Sequence, residues 1–242
     1  MRNILVTGAS RGIGLAIAER LAGEGDRVIA AARSEGETLR AAIARAKAPG
    51  EIRFARVDLA DTGGLAAFAR DLRAEFGPID ALINNAGIGP ASLLAAMAEE
   101  EIEKVMVVNA LAPILLTRQV LRGMLADGRG RIVSIASIVA ANGYNGLSVY
   151  SASKAAIVGF SKSLAREVGR VGITVNVISP GFIDTALTAD LDEKTRDRLI
   201  ARSALRRFAT PQDIAAMAAY LLSPAADSIT GAVMTVDAGA TA

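Results

Sequence analysis

Tyr150 and Lys154 are the two side chains whose types and spacing best suit proton chemistry. They lie four residues apart at the start of a long helical pattern, so both fall on one helical face about a turn apart. Lowering the pKa of a phenol from about 10 by three units takes roughly 4 kcal/mol of preferential phenolate stabilisation. A neighbouring ammonium in a partly desolvated site supplies part of that stabilisation. The pair therefore predicts a proton-transfer site, although the spacing alone also fits a surface pair without function.

The absence of histidine and cysteine narrows the chemistry further. Without histidine the chain lacks the commonest general base and the commonest zinc ligand. Without cysteine it has no thiolate nucleophile and no disulfide, which fits a reducing cytoplasm. Proton transfer must then use Tyr, Lys, Asp, Glu or Ser. No carboxylate cluster has the spacing of metal ligands, so no metal is expected.

A glycine-rich turn, TGASRGIG at residues 7–14, is the second chemical feature. It follows a short apolar run and precedes an amphipathic one, as in a strand that leads into a helix. Free N–H groups and the helix dipole point at such a turn, and glycine lets a diphosphate approach the backbone closely. The spacing Gly-x-x-x-Gly-x-Gly matches the standard dinucleotide fingerprint only loosely, so a plain tight connection is the alternative.

The end of the second predicted strand favours NADP(H) as the cofactor. A carboxylate about 20 residues beyond the turn would bind the ribose 2′-hydroxyl of NAD, but the strand ends at Ala32-Arg33 without one. Arg33, with Arg11 in the turn, offers guanidinium groups suited to a 2′-phosphate. NAD(H) is the alternative if both arginines are only solvated loop residues.

The elements that must position these residues alternate along the chain. Short apolar runs predict strands at 4–7, 27–32, 53–57, 81–84, 131–134, 174–179 and 233–236, and the helical patterns between them include 13–22, 64–76 and 211–222. Runs that are apolar throughout are typical of parallel strands covered by helices on both faces. We therefore predict a single doubly wound α/β domain of the Rossmann type over residues 1–242, with a seven-stranded parallel sheet.

Composition and charge exclude other classes of protein. The 242 residues are 52% hydrophobic and 21% charged, which is typical of a folded chain. Twenty-seven basic residues balance 25 acidic ones without a basic run, so no nucleic-acid partner is expected. The first apolar run is too short for a signal peptide, and no uninterrupted run approaches the roughly 20 residues that cross a bilayer. A cytoplasmic protein without a membrane partner is expected.

The motifs, taken in order, resemble those of the short-chain dehydrogenase/reductase family from Asn3 to about Gly239. Besides the turn at 7–14, they are Asp58-Leu59, Asn84-Asn85-Ala86-Gly87, Asn109, Ser137, YSASK at 150–154, Pro180-Gly181 with Ile183 and Thr185, and Asp237-Ala238-Gly239. Each motif is modest alone, and their order makes the resemblance specific. Segments 159–168 and 172–185 are most similar to those of 3-oxoacyl-carrier-protein reductases.

The resemblance implies an oxidoreductase that interconverts a carbonyl and a secondary alcohol by hydride transfer. Tyr150 would protonate the carbonyl oxygen, and would act as the base in the reverse direction. Ser137 would hydrogen-bond the same oxygen. Lys154 would bind the nicotinamide ribose and lower the pKa of Tyr150. Asn109 would hold a water that links Lys154 to solvent.

The resemblance also implies a set of cofactor-binding residues: Gly8, Ser10, Arg11, Gly12, Ile13, Gly14, Arg33, Asp58, Leu59, Asn85, Ala86, Gly87, Tyr150, Lys154, Pro180, Gly181, Ile183 and Thr185. Within this set, Asp58 and Leu59 would lie at the adenine end. The 85–87 segment would lie on the ribose side, and Ile183 with Thr185 at the nicotinamide carboxamide. Asn84 is expected to pin the sheet instead of contacting the cofactor.

More than one class of substrate fits this sequence. In reductases of carrier-bound thioesters, arginines beside the cleft meet the acidic carrier protein; Arg129 and Arg170 lie in those neighbourhoods, each offset by one residue. Because of this one-residue offset, a stand-alone ketone reductase or secondary-alcohol dehydrogenase is the alternative. A non-catalytic NADP-binding sensor or scaffold is the alternative of another class. The charged segment 188–208 would form a lid, and family members form homotetramers through helices around 99–124 and 150–169.

Overall fold

The computed structural model describes residues 1–183 and 192–242, and within these seven strands form one sheet. The strands are β1 (Asn3–Thr7), β2 (Arg27–Ala32), β3 (Glu51–Arg56), β4 (Ala81–Asn84), β5 (Gly130–Ile135), β6 (Ile173–Pro180) and β7 (Val233–Val236). Their order is β3-β2-β1-β4-β5-β6-β7, and every neighbouring pair is parallel. The predicted seven-stranded parallel sheet is confirmed, with strand ends shifted by at most two residues.

Helices cover both faces of this sheet. They are α1 (Gly12–Gly23), α2 (Gly36–Arg45), α3 (Leu65–Phe76), α4 (Glu99–Met106), α5 (Ala112–Asp127), α6 (Ser148–Val168), α7 (Glu193–Arg202) and α8 (Pro211–Leu222). Helices α1, α2 and α8 pack on one face, and α3, α5 and α6 pack on the other. The start of α8 follows the predicted pattern, because Thr210 and Asp213 form a reciprocal capping box ahead of the first turn.

The alternation of side chains along β1 explains why its sequence is apolar throughout. Ile4 and Val6 point into the core beneath α1 and α8, whereas Leu5 points into the core beneath α5 and α6. All three are fully buried. Burying a side chain of this size contributes roughly 1.5–3 kcal/mol, so both faces of the strand must be apolar.

The strand order fixes where a ligand can enter. The chain runs outward from β1 to β3 in one direction and from β4 to β7 in the other, so β1 and β4 are neighbours whose connections diverge. In such sheets the divergence leaves a crevice at the carboxyl ends of the two strands. The glycine turn follows β1 and the 85–87 segment follows β4, so both lie at this crevice.

Helices α4 and α5 join through a π-helical turn at Val107–Leu111 into one continuous helix. By length and composition this Glu99–Asp127 stretch is apolar enough to cross a membrane, with 44% of its most apolar window buried. The prediction from the sequence rested on uninterrupted apolar runs and therefore did not include this stretch. Leu116, Val120 and Met124 pack in the core on the sheet, so the stretch belongs to the helix layer of this fold.

Candidate active site

The glycine turn is built so closely that its glycines cannot be exchanged. Gly8 and Gly12 have φ angles of +67° and +57°, a region that side chains disfavour. A Cβ at Gly14 would lie 2.4 Å from the Gly8 carbonyl oxygen, and a Cβ at Gly8 would lie 2.8 Å from the Cα of Ala86. The turn is therefore packed against the segment that follows β4.

Thr7 and Asn85 lock these two loops together. The Thr7 hydroxyl accepts hydrogen bonds from the backbone N–H groups of Asn85, at 3.0 Å, and Ala86, at 3.1 Å. In return, the Asn85 side-chain amide donates to the carbonyl oxygens of Thr7, at 2.8 Å, and Gly8, at 3.2 Å. The Asn85 Nδ2 group is thus used within the protein, and it positions the turn. The Asn85 Oδ1 atom and backbone carbonyl oxygen remain for the predicted ribose contact.

The N-terminus of α1 faces the crevice with its first turn uncapped by any side chain. Ser10 and Arg11 precede it, and Ile13 lies in the first turn. Arg11 and Arg33 are both exposed, and neither has an ion-pair partner among the described residues. Free N–H groups, the helix dipole and two unpaired guanidinium groups are a donor set for phosphate. This arrangement fits a dinucleotide diphosphate and a 2′-phosphate.

The two residues predicted for the adenine end of the cofactor site, Asp58 and Leu59, differ in burial. Leu59 is buried, and it packs with Leu65 and Ala112 beneath the crevice. Asp58 is exposed, and its Oδ1 atom accepts a hydrogen bond from the Ala60 backbone N–H group at 3.0 Å. The second carboxylate oxygen of Asp58 stays available for an amino group.

Tyr150 and Lys154 lie in the first two turns of α6 and share one face, as predicted. The Lys154 Nζ atom lies 5.7 Å from the centre of the Tyr150 ring and donates to the Ile135 carbonyl oxygen at 2.9 Å. Ile135 is the last residue of β5, so the ammonium is anchored at the carboxyl edge of the sheet. A Cβ at Gly87 would lie 3.2 Å from this Nζ atom, and a Cβ at Gly89 would lie 3.1 Å from the Tyr150 ring. Glycine at both positions lets the loop after β4 pass close to the pair.

Burial shifts the pKa values of the two groups in opposite directions. It lowers the pKa of Lys154 from 10.5 to about 8, because the ammonium is taken out of water without a carboxylate partner. Burial raises the pKa of the Tyr150 phenol, and a hydrogen bond with the Ser137 hydroxyl lowers it by less. The predicted lowering of the Tyr150 pKa by Lys154 is therefore not what the chain alone produces. A fully protonated phenol at neutral pH suits a proton donor.

Ser137 follows β5 and begins the short turn that leads toward α6. Its Oγ atom accepts a weak hydrogen bond from the Val139 N–H group at 3.4 Å, and its hydroxyl is hydrogen-bonded to Tyr150. Ser134, near the end of the same strand, is fully buried inside the sheet. Of these two serines, only Ser137 meets the phenol.

Asn109 joins the catalytic helix to the loop after β4. Its side chain forms paired hydrogen bonds with the backbone of Ile88, accepting at 2.8 Å and donating at 2.7 Å, and donates to the Ser153 Oγ atom at 3.0 Å. Ser153 in turn donates to the Tyr150 carbonyl oxygen at 2.7 Å. The π-helical turn that holds Asn109 directs this buried amide inward. The amide is engaged with protein groups, so its primary role in the structure is to position the loop.

The structure brings the remaining predicted residues to the same edge with different roles. Pro180 ends β6, and the Gly181 N–H group donates to the Val236 carbonyl oxygen at 3.1 Å. The Ile183 side chain is buried in the core, so only its backbone can face a carboxamide. Thr185 lies outside the described residues. Asn84 is buried and donates to the Thr117 hydroxyl at 3.0 Å, in keeping with a role inside the sheet.

Arg129 and Arg170 do not lie beside this cleft. Arg129 precedes the first residue of β5 and is paired with Asp80 at 3.5 Å, at the amino edge of the sheet. Arg170 follows α6, whose 21 residues begin at the catalytic end. At 1.5 Å per residue this helix separates Arg170 from Tyr150 by about 30 Å. Arg129 lies before β5 and Arg170 after α6, as the sequence indicated, and both positions are at the edge of the sheet opposite this cleft.

Thr7 and Ser153 are site residues that sequence reasoning did not single out. Thr7 ends the first strand, and its hydroxyl meets the loop after β4. Ser153 lies three residues after Tyr150 and one before Lys154, on the buried side of α6. Its helical spacing from Tyr150 was a signal that could have identified it.

Comparison with known proteins gives a consistent result. A family model for short chain dehydrogenases matches residues 2–196. The 3-oxoacyl-(acyl-carrier-protein) reductase FabG of Escherichia coli is 42% identical over 235 residues, which cover 97% of this chain and 95% of that enzyme. The FabG of Vibrio cholerae is 41% identical over the same shares. The corresponding reductase MabA of Mycobacterium bovis is 34% identical, covering 98% and 92%.

Among solved structures, a Beutenbergia cavernae protein has the same fold with a TM-score of 0.93. It is 37% identical to this chain, and the match covers 98% of this chain and 96% of that one. That protein is proposed to be an NAD(P)-dependent gluconate 5-dehydrogenase, and it contains bound NADP at low occupancy.

Proposed function

Since the chain belongs to the short-chain dehydrogenase/reductase family and is an NAD(P)-dependent oxidoreductase, we propose that it reduces the 3-keto group of an acyl thioester with NADPH. The observation that carries this proposal is the convergence of Ser137, Tyr150 and Lys154 beside the glycine turn. It brings a proton donor, a hydrogen-bond donor for oxygen and a buried cation to the crevice where a dinucleotide would lie.

The residues that would hold NADP(H) follow from the donor set. The first turn of α1, with Ser10 and Arg11 before it, would bind the diphosphate, and Arg33 would pair with the 2′-phosphate. Asp58 would accept a hydrogen bond from the adenine amino group. Lys154 would donate to the ribose hydroxyls through the two N–H bonds that Ile135 does not use. The nicotinamide, when bound, supplies the hydride.

Reduction of a carbonyl adds a hydride at carbon and a proton at oxygen. Tyr150 donates the proton to the oxygen, and its raised pKa means that the phenol carries this proton throughout the neutral range. The Ser137 hydroxyl donates a hydrogen bond to the same oxygen and stabilises the charge that develops there. Asn109 keeps the loop after β4 against α6, and we retain as a proposal that it also holds a water beside Lys154.

An acyl thioester is the favoured substrate because the FabG and MabA relatives are 3-oxoacyl-(acyl-carrier-protein) reductases over nearly their whole length. A reductase of free ketones, or a dehydrogenase of secondary alcohols, is the second candidate. It is favoured by the position of Arg129 and Arg170, which cannot meet a carrier protein at this chain's own cleft. The proposed activity of the Beutenbergia relative, on a sugar acid, also favours it.

The test compares kcat/KM for an acetoacetyl thioester with kcat/KM for a panel of simple ketones and secondary alcohols. NADPH is used throughout, with NADH as the parallel cofactor and Tyr150→Phe as the matched inactive control. Preferred turnover of the thioester supports the proposal. Turnover of ketones alone replaces it with the second candidate. Absence of turnover on every carbonyl would favour a non-catalytic NADP-binding sensor or scaffold, which has no need for the Ser137, Tyr150 and Lys154 set.

We also propose that the whole chain, residues 1–242, acts as one catalytic domain and forms a cytoplasmic homotetramer. The continuous helix 99–127 exposes Leu111 and Leu125 at 44% and 45%, which supports a helix-to-helix interface on that side. Segment 188–208 would be the substrate lid, of which the structure describes Asp192 onward. Analytical ultracentrifugation of the purified protein tests the tetramer, and a monomer at micromolar concentration would contradict it.

A further inference from the structure

Three aromatic rings meet at one side of the cleft. The rings of Tyr144 and Phe182 pack edge to face with centroids 5.5 Å apart, and the rings of Phe182 and Phe208 lie 6.1 Å apart. These are attractive geometries for aromatic pairs. The chain has only six Phe and three Tyr, so a third of its aromatic side chains gather here.

Each ring comes from a segment tied to the catalytic groups. Tyr144 lies in the connection from Ser137 to Tyr150, and its carbonyl oxygen accepts from the Leu147 N–H group just before α6 begins. Phe182 is the second residue beyond β6, the strand that neighbours β5. A backbone bridge between Ile183 and Ala209 holds Phe208 beside it. The cluster therefore lies at the carboxyl edge of the sheet, on the connections that follow β5 and β6.

We infer that Tyr144, Phe182 and Phe208 form an aromatic wall of the substrate cleft, and that this wall receives the alkyl chain attached to the reacting carbonyl. The inference rests on the proposed function in so far as a carbonyl is reduced at Tyr150. It adds the chemical class of the group beside that carbonyl. An unbranched apolar chain is the occupant, and polar or sugar-like groups are excluded.

The low polarity of the wall and of the neighbouring segment, residues 92–94, supports the choice of an alkyl chain. The three rings are partly exposed and uncharged, and among the described residues none hydrogen-bonds the Tyr144 hydroxyl. Close to the wall, Leu93 and Leu94 are 61% and 58% exposed. Their segment is fastened to the Tyr144 connection by the Ser92 N–H group, which donates to the Gly146 carbonyl oxygen at 3.0 Å. The wall and this neighbouring segment thus offer apolar surface that methylene groups would remove from water.

A positive charge lies next to the wall, at the Phe208 ring. The Arg196 guanidinium of α7 lies 5.3 Å from the centre of the Phe208 ring. A cation stacked on this ring bounds the apolar surface on the side of α7. Chain length should therefore help binding only while the added carbons lie on the three rings.

The experiment measures kcat/KM for two homologous series, with NADPH saturating. One series is the 3-oxobutanoyl, 3-oxohexanoyl and 3-oxooctanoyl thioesters of N-acetylcysteamine, and the other is butan-2-one, hexan-2-one and octan-2-one. We expect kcat/KM to rise at least about tenfold from the shortest to the longest member. In Tyr144→Ala and Phe182→Ala this ratio should fall to within about twofold of one.

Matched variants distinguish a loss of the aromatic wall from a general loss of structure in the alanine variants. Phe182→Leu keeps apolar volume and should retain most of the chain-length ratio, and Tyr144→Phe should keep all of it. Tyr220→Ala removes a 41% exposed tyrosine on α8 and should leave the ratio unchanged. The dissociation constant for NADPH, measured in each variant, should stay at the unmodified value. If Phe182→Ala does not fold, the Tyr144→Ala and Phe182→Leu results decide.

Two outcomes would overturn the inference: a flat chain-length profile in the unmodified protein, or the same rising profile in the alanine variants. The two series keep it distinguishable from the proposed function. Ketones reduced with a rising profile while thioesters are inert would contradict the thioester substrate and support the wall. If thioesters are reduced but kcat/KM does not change with chain length, the thioester substrate is supported and the wall is contradicted.

Discussion

At the amino edge of the sheet, where the strands begin, basic side chains face carboxylates. Arg2 pairs with Asp26 through two hydrogen bonds of 2.9 and 2.7 Å, and Arg27 and Arg53 both pair with Glu51. At the carboxyl edge the opposite holds. Arg11 and Arg33 lack an ion-pair partner among the described residues, and the buried Lys154 ammonium donates to the Ile135 carbonyl oxygen without a carboxylate partner among those residues.

The difference shows how one sheet divides stability from function. At the amino edge, ion pairs link the strands and their connections, and these paired charges do not require a ligand. At the carboxyl edge the desolvated ammonium of Lys154 costs stability, because it is buried without a carboxylate partner among the described residues. An anionic cofactor would supply the missing negative charge. Changes at the carboxyl edge should therefore alter catalysis and cofactor binding, and changes at the amino edge should alter stability alone.

Tyr150→Phe should produce the largest effect at the carboxyl edge. The substitution removes one hydroxyl and keeps the ring that packs on Gly89, so the fold and the NADPH site stay intact. Loss of the proton donor should lower kcat for carbonyl reduction by about 10³-fold. Steady-state kinetics and NADPH titration by fluorescence measure the two quantities.

Ser151→Ala, at the next position of α6, is the control for this substitution and should keep kcat within about threefold. Turnover of Tyr150→Phe at the unmodified rate would remove Tyr150 from the reaction. Equal losses of kcat and of NADPH affinity would make its role one of structure.

Lys154→Met should change the dependence of stability on pH. The folded pKa of Lys154 is about 8 against 10.5 for the ordinary side chain. Between these values the unfolded chain binds a proton that the folded chain has lost, so the free energy of unfolding rises with pH. From about pH 7.5 to about pH 9.5 this group should contribute a rise of about 2 kcal/mol.

Urea unfolding of the unmodified protein and of Lys154→Met across this pH range measures that rise as a difference. The raised pKa of Tyr150 lies above the range and does not interfere. The variant keeps the apolar volume and lacks the titrating group, so its profile should be flatter. Parallel profiles for the two proteins would mean that Lys154 is not desolvated in the folded chain.

Much of this arrangement could be predicted from local sequence. Continuous apolar runs such as β1 predicted parallel strands, because both faces of each strand are buried. The direction of a parallel strand then places the glycine turn and the segment after β4 at one edge. The four-residue spacing of Tyr150 and Lys154 predicted their shared face, since it depends only on helix geometry.

What sequence could not supply depends on packing. The upward shift of the Tyr150 pKa arises from burial, which outweighs the Ser137 hydrogen bond, and neither can be read from spacing. Asn109 turns inward because a π-helical turn interrupts the helix. The aromatic wall joins three rings that are 26 or more positions apart in the sequence. The position of Arg129 at the amino edge, by contrast, could be predicted from sequence, because a residue before a strand lies at that edge.

Arg33→Asp should alter cofactor choice at the carboxyl edge. The substitution replaces an exposed cation next to β2 with an anion that repels a 2′-phosphate and accepts a hydrogen bond from a 2′-hydroxyl. The ratio of kcat/KM for NADPH to kcat/KM for NADH should fall at least about tenfold. Arg53→Asp, near the amino end of the adjacent strand, should leave the ratio unchanged. Equal ratios in Arg33→Asp and the unmodified protein would remove Arg33 from the 2′-phosphate site.

Arg2→Ala should produce the smallest effect, and only on stability. Arg2 is partly exposed, whereas the Asp26 carboxylate that it binds is almost fully buried, so the substitution leaves that carboxylate without its strongest partner. The Arg2 guanidinium also donates to the Leu222 carbonyl oxygen at the end of α8. Exposure of one partner limits the loss to about 1 kcal/mol of unfolding free energy. Urea unfolding measures it, and kcat/KM and NADPH affinity should not change. A loss of activity without a loss of stability would show that the two edges of the sheet are coupled.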